Sequence, residues 1–174
     1  ILVENLYSFI CKIFRFTENF STMVFDDIDK KLLQLLQNDS KQTNKALANQ
    51  LNLSVTAVFE RIKKLENQGV ISKYVALVKK EKIDKSFVTF CHIKLTQHLQ
   101  EYVIQFETEV NKLTEVIECY HISGDYDYLL KVAVKDMEAF RKFMVEKLTN
   151  IKHIGSTHSM FVISEVKHTT AISL

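Results

Sequence analysis

The sequence of 174 residues contains no proline and only three glycines, Gly69, Gly124 and Gly155. These two residue types normally mark turns and loops, so helices and strands must be located here from the spacing of apolar residues and from helix caps. The chain is 47% hydrophobic and 25% charged, which is typical of a globular protein with one domain or two small ones. Disorder over most of the chain is therefore not expected.

An excess of charge of one sign is also missing, because the formal net charge is only +2. That value is too small to indicate a polyanionic partner, so any indication of nucleic-acid binding must come from local charge. The three cysteines, Cys11, Cys91 and Cys119, are odd in number and widely spaced, which argues against a disulfide framework and favours a reducing cytosol. We therefore expect a cytoplasmic protein.

The N-terminal segment lacks a long hydrophobic run. In residues 1–22 the charged side chains of Glu4, Lys12, Arg15 and Glu18 interrupt the apolar residues, which argues against a membrane span. The segment has neither the basic start nor the small-residue cleavage site of a secretory signal. We expect it to be an N-terminal extension outside the core fold, with an amphipathic anchor as the alternative.

Three successive helices are predicted at the start of the core fold. The acidic stretch at 26–29 suits the positive end of a first helix dipole, Thr43 and Ser54 can cap a second and a third helix, and Gly69 can end the third. Their apolar residues recur at helical spacing. The positions expected to be buried are Ile28, Leu32, Leu35, Leu36, Ala46, Leu47, Leu51, Val55, Val58, Ile62 and Leu65.

The period changes to two after the third helix. In the stretch ISKYVALV, residues 71–78, alternate side chains fall on opposite sides, which predicts a short strand pair or wing. Helix, short helix, tight turn, capped helix and wing together predict a winged helix-turn-helix over residues 23–82. The third helix of such a domain enters the major groove of DNA.

Basic residues are concentrated in this predicted domain. Residues 41–75 carry six cationic and two acidic side chains, a net charge of +4. A solvated surface helix has a similar charge pattern, but the short helix, turn and wing around it favour DNA binding. The candidates for contact with phosphates are Lys41, Lys45, Lys63 and Lys73. The candidates near base edges are Ser54, Thr56, Ala57, Arg61 and Lys64, with Glu60 expected to pair with Lys64 and orient it rather than accept from cytosine.

The second half of the chain repeats a strand, helix, strand pattern twice. Strands are predicted for FVTFCHIKL (87–95), EVIECYHIS (115–123), YDYLLKVAV (126–134) and HSMFVISEV (158–166). The apolar residues expected to face the core from the two helices are Leu99, Val103, Phe106, Val110, Leu113, Met137, Phe140, Met144 and Leu148. This order predicts a ferredoxin-like βαββαβ domain over residues 83–174, and an α+β protein overall.

A sheet with both helices on one side leaves its other face uncovered. That face would carry aromatic and β-branched residues, so its exposure would create a large apolar patch. Pairing of two such sheets removes the patch, and a two-fold dimer also fits a palindromic DNA site. We therefore expect an obligate homodimer.

Three stretches together resemble the Lrp/AsnC family, also called feast/famine regulators. They are LSVTAVFERIKKLENQGVISKY (53–74), SGDYDYLLKV (123–132) and SEVK (164–167), and the likeness covers about residues 24–168. The resemblance implies a transcription factor, without enzymatic activity, that binds double-stranded DNA. It also implies a C-terminal domain that dimerises, assembles into octamers or related rings, and binds a small amino acid as effector, with no other cofactor. The family often has proline at the start of the recognition helix, where this chain has Val55.

The resemblance places the effector near the hairpin turn, facing the last strand. The matching residues here are Gly124, Asp125, Tyr126, Asp127, Thr157 and Ser159. Carboxylates or carbonyls can accept from the ammonium of an amino acid, and hydroxyls or backbone N–H groups can donate to its carboxylate. The stretch SGDY is equally compatible with a tight turn that has no binding role.

Other chemistries find little support in the sequence. The six histidines show neither an H-x-x-x-H pair nor a partnering C-x-x-C, so no metal site is expected. No glycine-rich phosphate loop and no nucleophile with a positioned base are apparent. The alternative to a DNA-binding regulator is an amino-acid-sensing oligomerisation module that acts on protein partners without sequence-specific DNA binding.

Overall fold

The computed structural model describes residues 25–174, so the prediction for residues 1–22 lies outside the described part of the chain. The described residues form two units, each with its own hydrophobic core. One unit contains residues 25–74 and Thr169–Leu174, and the other contains Val75–His168. No helix within residues 25–174 has the length and apolar character needed to span a membrane.

The first unit contains three helices: α1 (Asp27–Asn38), α2 (Asn44–Leu51) and α3 (Val55–Asn67). Each begins after a side chain that accepts a hydrogen bond from a backbone N–H in the first turn: Asp26, Thr43 and Ser54. Gly69 follows the end of α3 with φ at 73°, a left-handed conformation in which glycine avoids the strain of a β-carbon. The three predicted helices and the caps at Thr43 and Ser54 are therefore confirmed.

The core of this unit lies where the three helices meet. Its buried side chains are Leu32, Leu33, Leu36, Leu47, Ala48, Val58 and Leu65. Val55 was expected among them, but 48% of its surface is exposed. Helical side chains point back toward the N-terminus, and Val55 is the first residue of α3, so no earlier turn of that helix lies beneath its side chain.

The last residues of the chain contact the first helix of the same unit. The side-chain amide of Gln37 donates to the Ile172 carbonyl at 2.9 Å and accepts from the Ile172 N–H at 2.7 Å. The sequence pattern places residues 169–174 in the second predicted domain, whereas these two hydrogen bonds attach them to α1.

The strand pair predicted at 71–78 is absent from the described chain. Residues 72–79 have no regular secondary structure and lead into a 3₁₀ turn at Lys80–Lys82. A strand requires a hydrogen-bonded neighbour, and no strand of residues 25–174 pairs with this segment. Its apolar side chains, Tyr74, Val75, Leu77 and Val78, are exposed. The predicted strand pair is therefore wrong for the described chain: the alternating residues form no strand there.

The second unit is a four-stranded antiparallel sheet with two helices. Its elements are β1 (Phe87–Leu95), α4 (Gln100–Val110), β2 (Val116–His121), β3 (Tyr128–Val134), α5 (Met137–Glu146) and β4 (Ile154–Phe161). The strand order is β2-β3-β1-β4, with β1 between β3 and β4. Cys91, Ile93, Phe106, Leu130 and Phe143 share one core, so both helices cover the same face of the sheet. The predicted βαββαβ arrangement is confirmed.

The bounds of β4 and two of the helix positions expected to be buried differ from the prediction. Leu99 was expected to face the core, but it precedes α4 as its N-cap residue and is 48% exposed. β4 was expected at 158–166, but it pairs with β1 from Ile154 to Phe161 and ends there because the register has then reached Thr89, close to the start of β1. On α5, Met137 is exposed and Phe143 is buried. Asp136 caps α5 through the Ala139 N–H, so Met137 lies at the helix end, and the core-facing stripe includes Phe140 and Phe143 instead.

A largely buried ion pair connects α3 to the start of α1. Asp29 is only 2% exposed, and its Oδ1 accepts a hydrogen bond from Arg61 Nη1 at 2.6 Å. The same nitrogen donates to Asp26 Oδ2 at 2.7 Å. The hydrogen bonds from Arg61 to Asp29 and then to Asp26 raise the pKa of Arg61. The Asp29 N–H and the Arg61 guanidinium both lower the pKa of Asp26.

This arrangement corrects the prediction that Arg61 faces base edges. Its guanidinium is directed toward two carboxylates of its own unit. A buried carboxylate needs a hydrogen-bonded counter-charge, since an unpaired charge in the interior is very costly. Arg61 therefore stabilises the fold of the helix-turn-helix.

We expect Arg61→Met to lower the free energy of unfolding of the first unit by about 3 kcal/mol, because Asp29 would stay buried without its partner. This value is at the low end of the destabilisation expected when a buried ion pair loses one partner, because the Arg61 side chain is 28% exposed. Urea unfolding followed by circular dichroism measures the change. The matched control is Lys63→Met on the exposed side of α3, which should change stability by less than about 0.5 kcal/mol. Equal stability of the two variants would contradict a structural role for Arg61.

Candidate nucleic-acid interface and effector site

The side of α3 opposite its buried residues is polar and exposed. Val58 and Leu65 face the core, and most of the predicted contact residues lie elsewhere around the helix. The exposed ones are Thr56, Glu60, Lys63 and Lys64. Ala57 is half-buried, and its N–H donates to the Ser54 hydroxyl at 3.1 Å, so Ser54 is held at the end of α3 by its capping bond. The exposed side of α3 therefore carries polar and charged side chains.

The four lysines that were predicted to contact phosphates are exposed and carry no carboxylate partner within residues 25–174: Lys41, Lys45, Lys63 and Lys73. The same holds for Lys31 on α1. Because a nearby carboxylate does not neutralise them, their charges stay available to an anionic ligand. Arg61 differs from these lysines, because the carboxylates of Asp26 and Asp29 balance its charge inside the unit.

The predicted pairing of Glu60 with Lys64 does not occur. Lys64 Nζ lies 3.9 Å from Asp29 Oδ2, so the lysine is directed toward α1. Within the described chain, Glu60 has no ion pair and remains exposed on α3. The buried charge of Asp29 thus attracts Lys64 as well as Arg61.

Phe59 is a surface residue of α3 that is not among the residues predicted from the sequence to bind DNA. Its side chain is 48% exposed, and the Lys63 ammonium lies 5.9 Å from the centre of its ring. At 3.6 residues per turn, Phe59 falls beside Lys63 on the flank of the polar face. The helical spacing from Lys63 was the signal that could have placed it there, although an apolar residue is usually assigned to the core.

The predicted effector turn joins β2 to β3 in the second unit. Gly124 has φ at 118°, a backbone conformation that other residues rarely adopt, and Asp125 is exposed beside it. Asp127 is buried, and its Oδ2 accepts a hydrogen bond from the Leu95 N–H at 2.7 Å. His98 Nδ1 lies 3.3 Å from the other carboxylate oxygen of Asp127. Asp127 therefore holds the turn against the end of β1, while Asp125 is available to solvent.

The predicted residues of the last strand lie across β1 from this turn. Thr157 pairs with Ile93, whose carbonyl also accepts from the Asp127 N–H at 2.9 Å. Ser159 Oγ lies 3.6 Å from Cys91 Sγ, and burial raises the pKa of the Cys91 thiol. The structure thus brings the turn and β4 to the same end of β1, with the central strand between them.

Three rings cluster near that end of the sheet. Tyr126 stacks on His92 with ring centres 4.8 Å apart, and His158 lies 6.3 Å from both rings. His92 and His158 are cross-strand partners in the register of β1 and β4. Tyr126 is thereby held by its stacking contact rather than free in the turn. In the part of the chain that the structure covers, no three metal-ligating side chains are grouped to hold an ion.

Comparison with known proteins identifies both units. Residues 25–72 match the family described as winged helix-turn-helix DNA-binding, and residues 88–172 match the Lrp/AsnC ligand binding domain. The chain is 39% identical over 147 residues to the leucine-responsive regulatory protein of Escherichia coli K12, covering 84% of this chain and 90% of that protein.

Solved structures agree with this assignment. A transcriptional regulator of Neisseria meningitidis, crystallised as an L-Met complex, superposes with a TM-score of 0.82 at 32% identity, over 87% of this chain and 96% of that one. An AsnC family transcriptional regulator from Agrobacterium tumefaciens gives a TM-score of 0.82 at 36% identity, over 85% of this chain and 96% of that one. The chain therefore belongs to the Lrp/AsnC family of transcriptional regulators, with a winged helix-turn-helix DNA-binding domain followed by an Lrp/AsnC ligand-binding domain.

Proposed function

We propose that this regulator binds a specific duplex sequence through α3 and its surrounding lysines, and that a small amino acid alters its assembly or its affinity for DNA. The exposed lysines around α3 that lack carboxylate partners carry the proposal, because they form a cationic surface on a protein of low net charge. The role requires binding alone and no enzymatic step.

We also propose that the protein acts in the cytoplasm, where bacteria such as the sources of its relatives keep their DNA.

The proposed DNA contacts divide into two classes. Lys41, Lys45, Lys63 and Lys73 would neutralise phosphates and fix the position of the domain on the duplex. Thr56, Ala57, Glu60 and Lys64, with the capping residue Ser54, would lie near base edges and provide sequence preference. Residues 23–82 would serve DNA binding and residues 83–174 effector binding and oligomerisation, and the division of the chain after Tyr74 supports a boundary in this region.

Lys45→Ala should weaken DNA binding to a similar extent on the preferred duplex and on unrelated duplexes, since a phosphate contact carries no sequence information. The slope of log affinity against log salt concentration should become shallower by about 0.9 for each bound copy of the chain. Fluorescence anisotropy titrations across a salt series measure both effects. Lys142→Ala, on the exposed surface of α5, is the matched control and should leave the slope unchanged. Identical slopes for the two variants would exclude Lys45 from the interface.

We propose that the amino-acid effector binds between the β2–β3 turn and β4. Asp125 would accept from the ammonium group, while Thr157, Ser159 and the turn backbone at Gly124 would donate to the carboxylate. The exposure of Asp125 and the open backbone of Gly124 support these roles. Tyr126 would line the site, and Asp127, already bonded to the Leu95 N–H, would position the turn.

Thermal unfolding in the presence of each of the twenty amino acids should identify at least one that stabilises the ligand-binding domain. A ligand at a hundredfold excess over its Kd should raise the Tm of a domain of this size by roughly 10–20 °C. Asp125→Asn should abolish that shift because it removes the charge that would bind the ammonium. Glu101→Gln, which removes an exposed carboxylate on α4, is the matched control and should retain the rise in Tm. A flat response of the unmodified protein to all twenty amino acids would contradict the effector role, and a shift that survives Asp125→Asn would contradict this site.

We propose further that the chain forms a homodimer through the sheet face that the helices leave uncovered, and that dimers assemble into octamers. Phe90 and Met160 are cross-strand partners that lie outside the helix-covered core. Phe161, the next residue on β4, contacts Phe87 and Phe140 on the helix side, so Met160 faces the other way. Burial of such apolar side chains against a second copy would stabilise association.

Met160→Glu should shift the protein toward a single chain of 20.3 kDa, since two carboxylates would be buried across the proposed two-fold interface. Sedimentation velocity gives the mass, and circular dichroism tests that the variant is folded. Met137→Glu introduces the same charge on the exposed surface of α5 and should keep the mass of the unmodified protein. Retention of that mass by Met160→Glu would exclude this sheet face as the interface.

A further inference from the structure

Phe59 occupies a position on α3 that core packing does not explain. It is the fifth of thirteen residues in the helix, and almost half of its surface is exposed. The buried positions of α3 are taken by Val58 and Leu65, with Ile62 packed against them. Phe59 therefore presents an aromatic ring beside the polar face, at the part of a recognition helix that enters the major groove.

Apolar and cationic groups lie next to each other around this ring. Val55, four residues earlier and also exposed, extends the apolar surface toward the start of α3, and Thr56 adds a methyl group nearby. Lys63, four residues later, places its ammonium 5.9 Å from the ring centre. A ligand that matches this surface needs an apolar group close to an anionic group.

Duplex DNA provides that combination in its major groove. Thymine is the base that presents a methyl group there, and the phosphates of the backbone border the groove. Among the candidates on α3, Thr56 and Ala57 each carry one methyl group, so the half-exposed ring of Phe59 is the largest apolar surface beside the polar face. Arg61 cannot assist, because Asp29 and Asp26 hold its guanidinium.

We propose that Phe59 is a specificity-determining residue whose ring contacts the C5 methyl group of a thymine while Lys63 contacts a neighbouring phosphate. The inference rests on the proposed binding of DNA through α3 and adds the base that this position prefers. Phe59 then determines preference for a T·A pair at one place in each half-site. Its removal changes which base is preferred there, in addition to lowering affinity.

The test uses the full chain and a duplex selected by that chain from a random-sequence pool. Each thymine of the selected duplex is replaced in turn by deoxyuridine, which lacks only the methyl group. At one thymine per half-site the replacement should weaken binding of the unmodified protein about fourfold, as expected for the loss of one buried carbon group. Phe59→Ala should bind the thymine and deoxyuridine duplexes equally well. Phe59→Leu, which keeps an apolar side chain, should retain part of the preference.

Ile104→Ala is the matched control, because it truncates a similarly exposed apolar side chain on α4. It should preserve the full preference for thymine over deoxyuridine. Equal binding of the unmodified protein to thymine and deoxyuridine duplexes at every position would overturn the proposal while leaving DNA binding intact. An unchanged preference in Phe59→Ala would also overturn it, and would fit a Phe59 that faces another protein. Failure to select any duplex would contradict this inference together with DNA binding itself.

Discussion

Burial of the Asp29 carboxylate determines which side chains of α3 remain available to a ligand. A charge in that position must be paired, and Arg61 and Lys64 of α3 are both directed toward it. Arg61 is thereby used within the fold, whereas Lys64, 3.9 Å from Asp29, keeps 55% of its side chain exposed. The exposed surface of α3 is formed by Thr56, Glu60, Lys63 and Lys64, with Phe59 at its edge. The ion pair thus supports the three-helix packing and also selects the chemistry of the exposed face.

A second buried aspartate has a corresponding role in the ligand-binding unit. Asp127 accepts from the Leu95 N–H and donates its own N–H to the Ile93 carbonyl, so the β2–β3 turn is fixed to the end of β1. Because Thr157 on β4 also pairs with Ile93, this end of β1 joins the turn to the last strand. The exposed Asp125 then projects from a turn whose position is set by its buried neighbour. A rigid support of this kind reduces the entropy lost when a small ligand is bound.

Local rules of the sequence predicted the helices, their caps and the βαββαβ order, because caps and apolar spacing act over a few residues. Thr43, Ser54 and Gly69 are examples in which one residue type fixes a helix end. Arg61 and Asp127 were assigned to ligands because a charged residue facing a ligand and one pairing a buried group look alike in sequence. The wing at 71–78 and the bounds of β4 depend on strand partners that local alternation does not reveal.

The segment after α3 that has no regular secondary structure, residues 72–79, has physical consequences for assembly. Tyr74, Val75, Leu77 and Val78 are exposed, and the backbone around them has no strand partner within residues 25–174. Exposed apolar side chains favour association. In the proposed dimer, two copies of α3 would bind one DNA molecule, and binding of the first would raise the effective concentration of the second. An amino acid that shifts the assembly state would then change the affinity for DNA without contacting α3. Effector binding by the sheet domain and base recognition by the helix would therefore use separate residues.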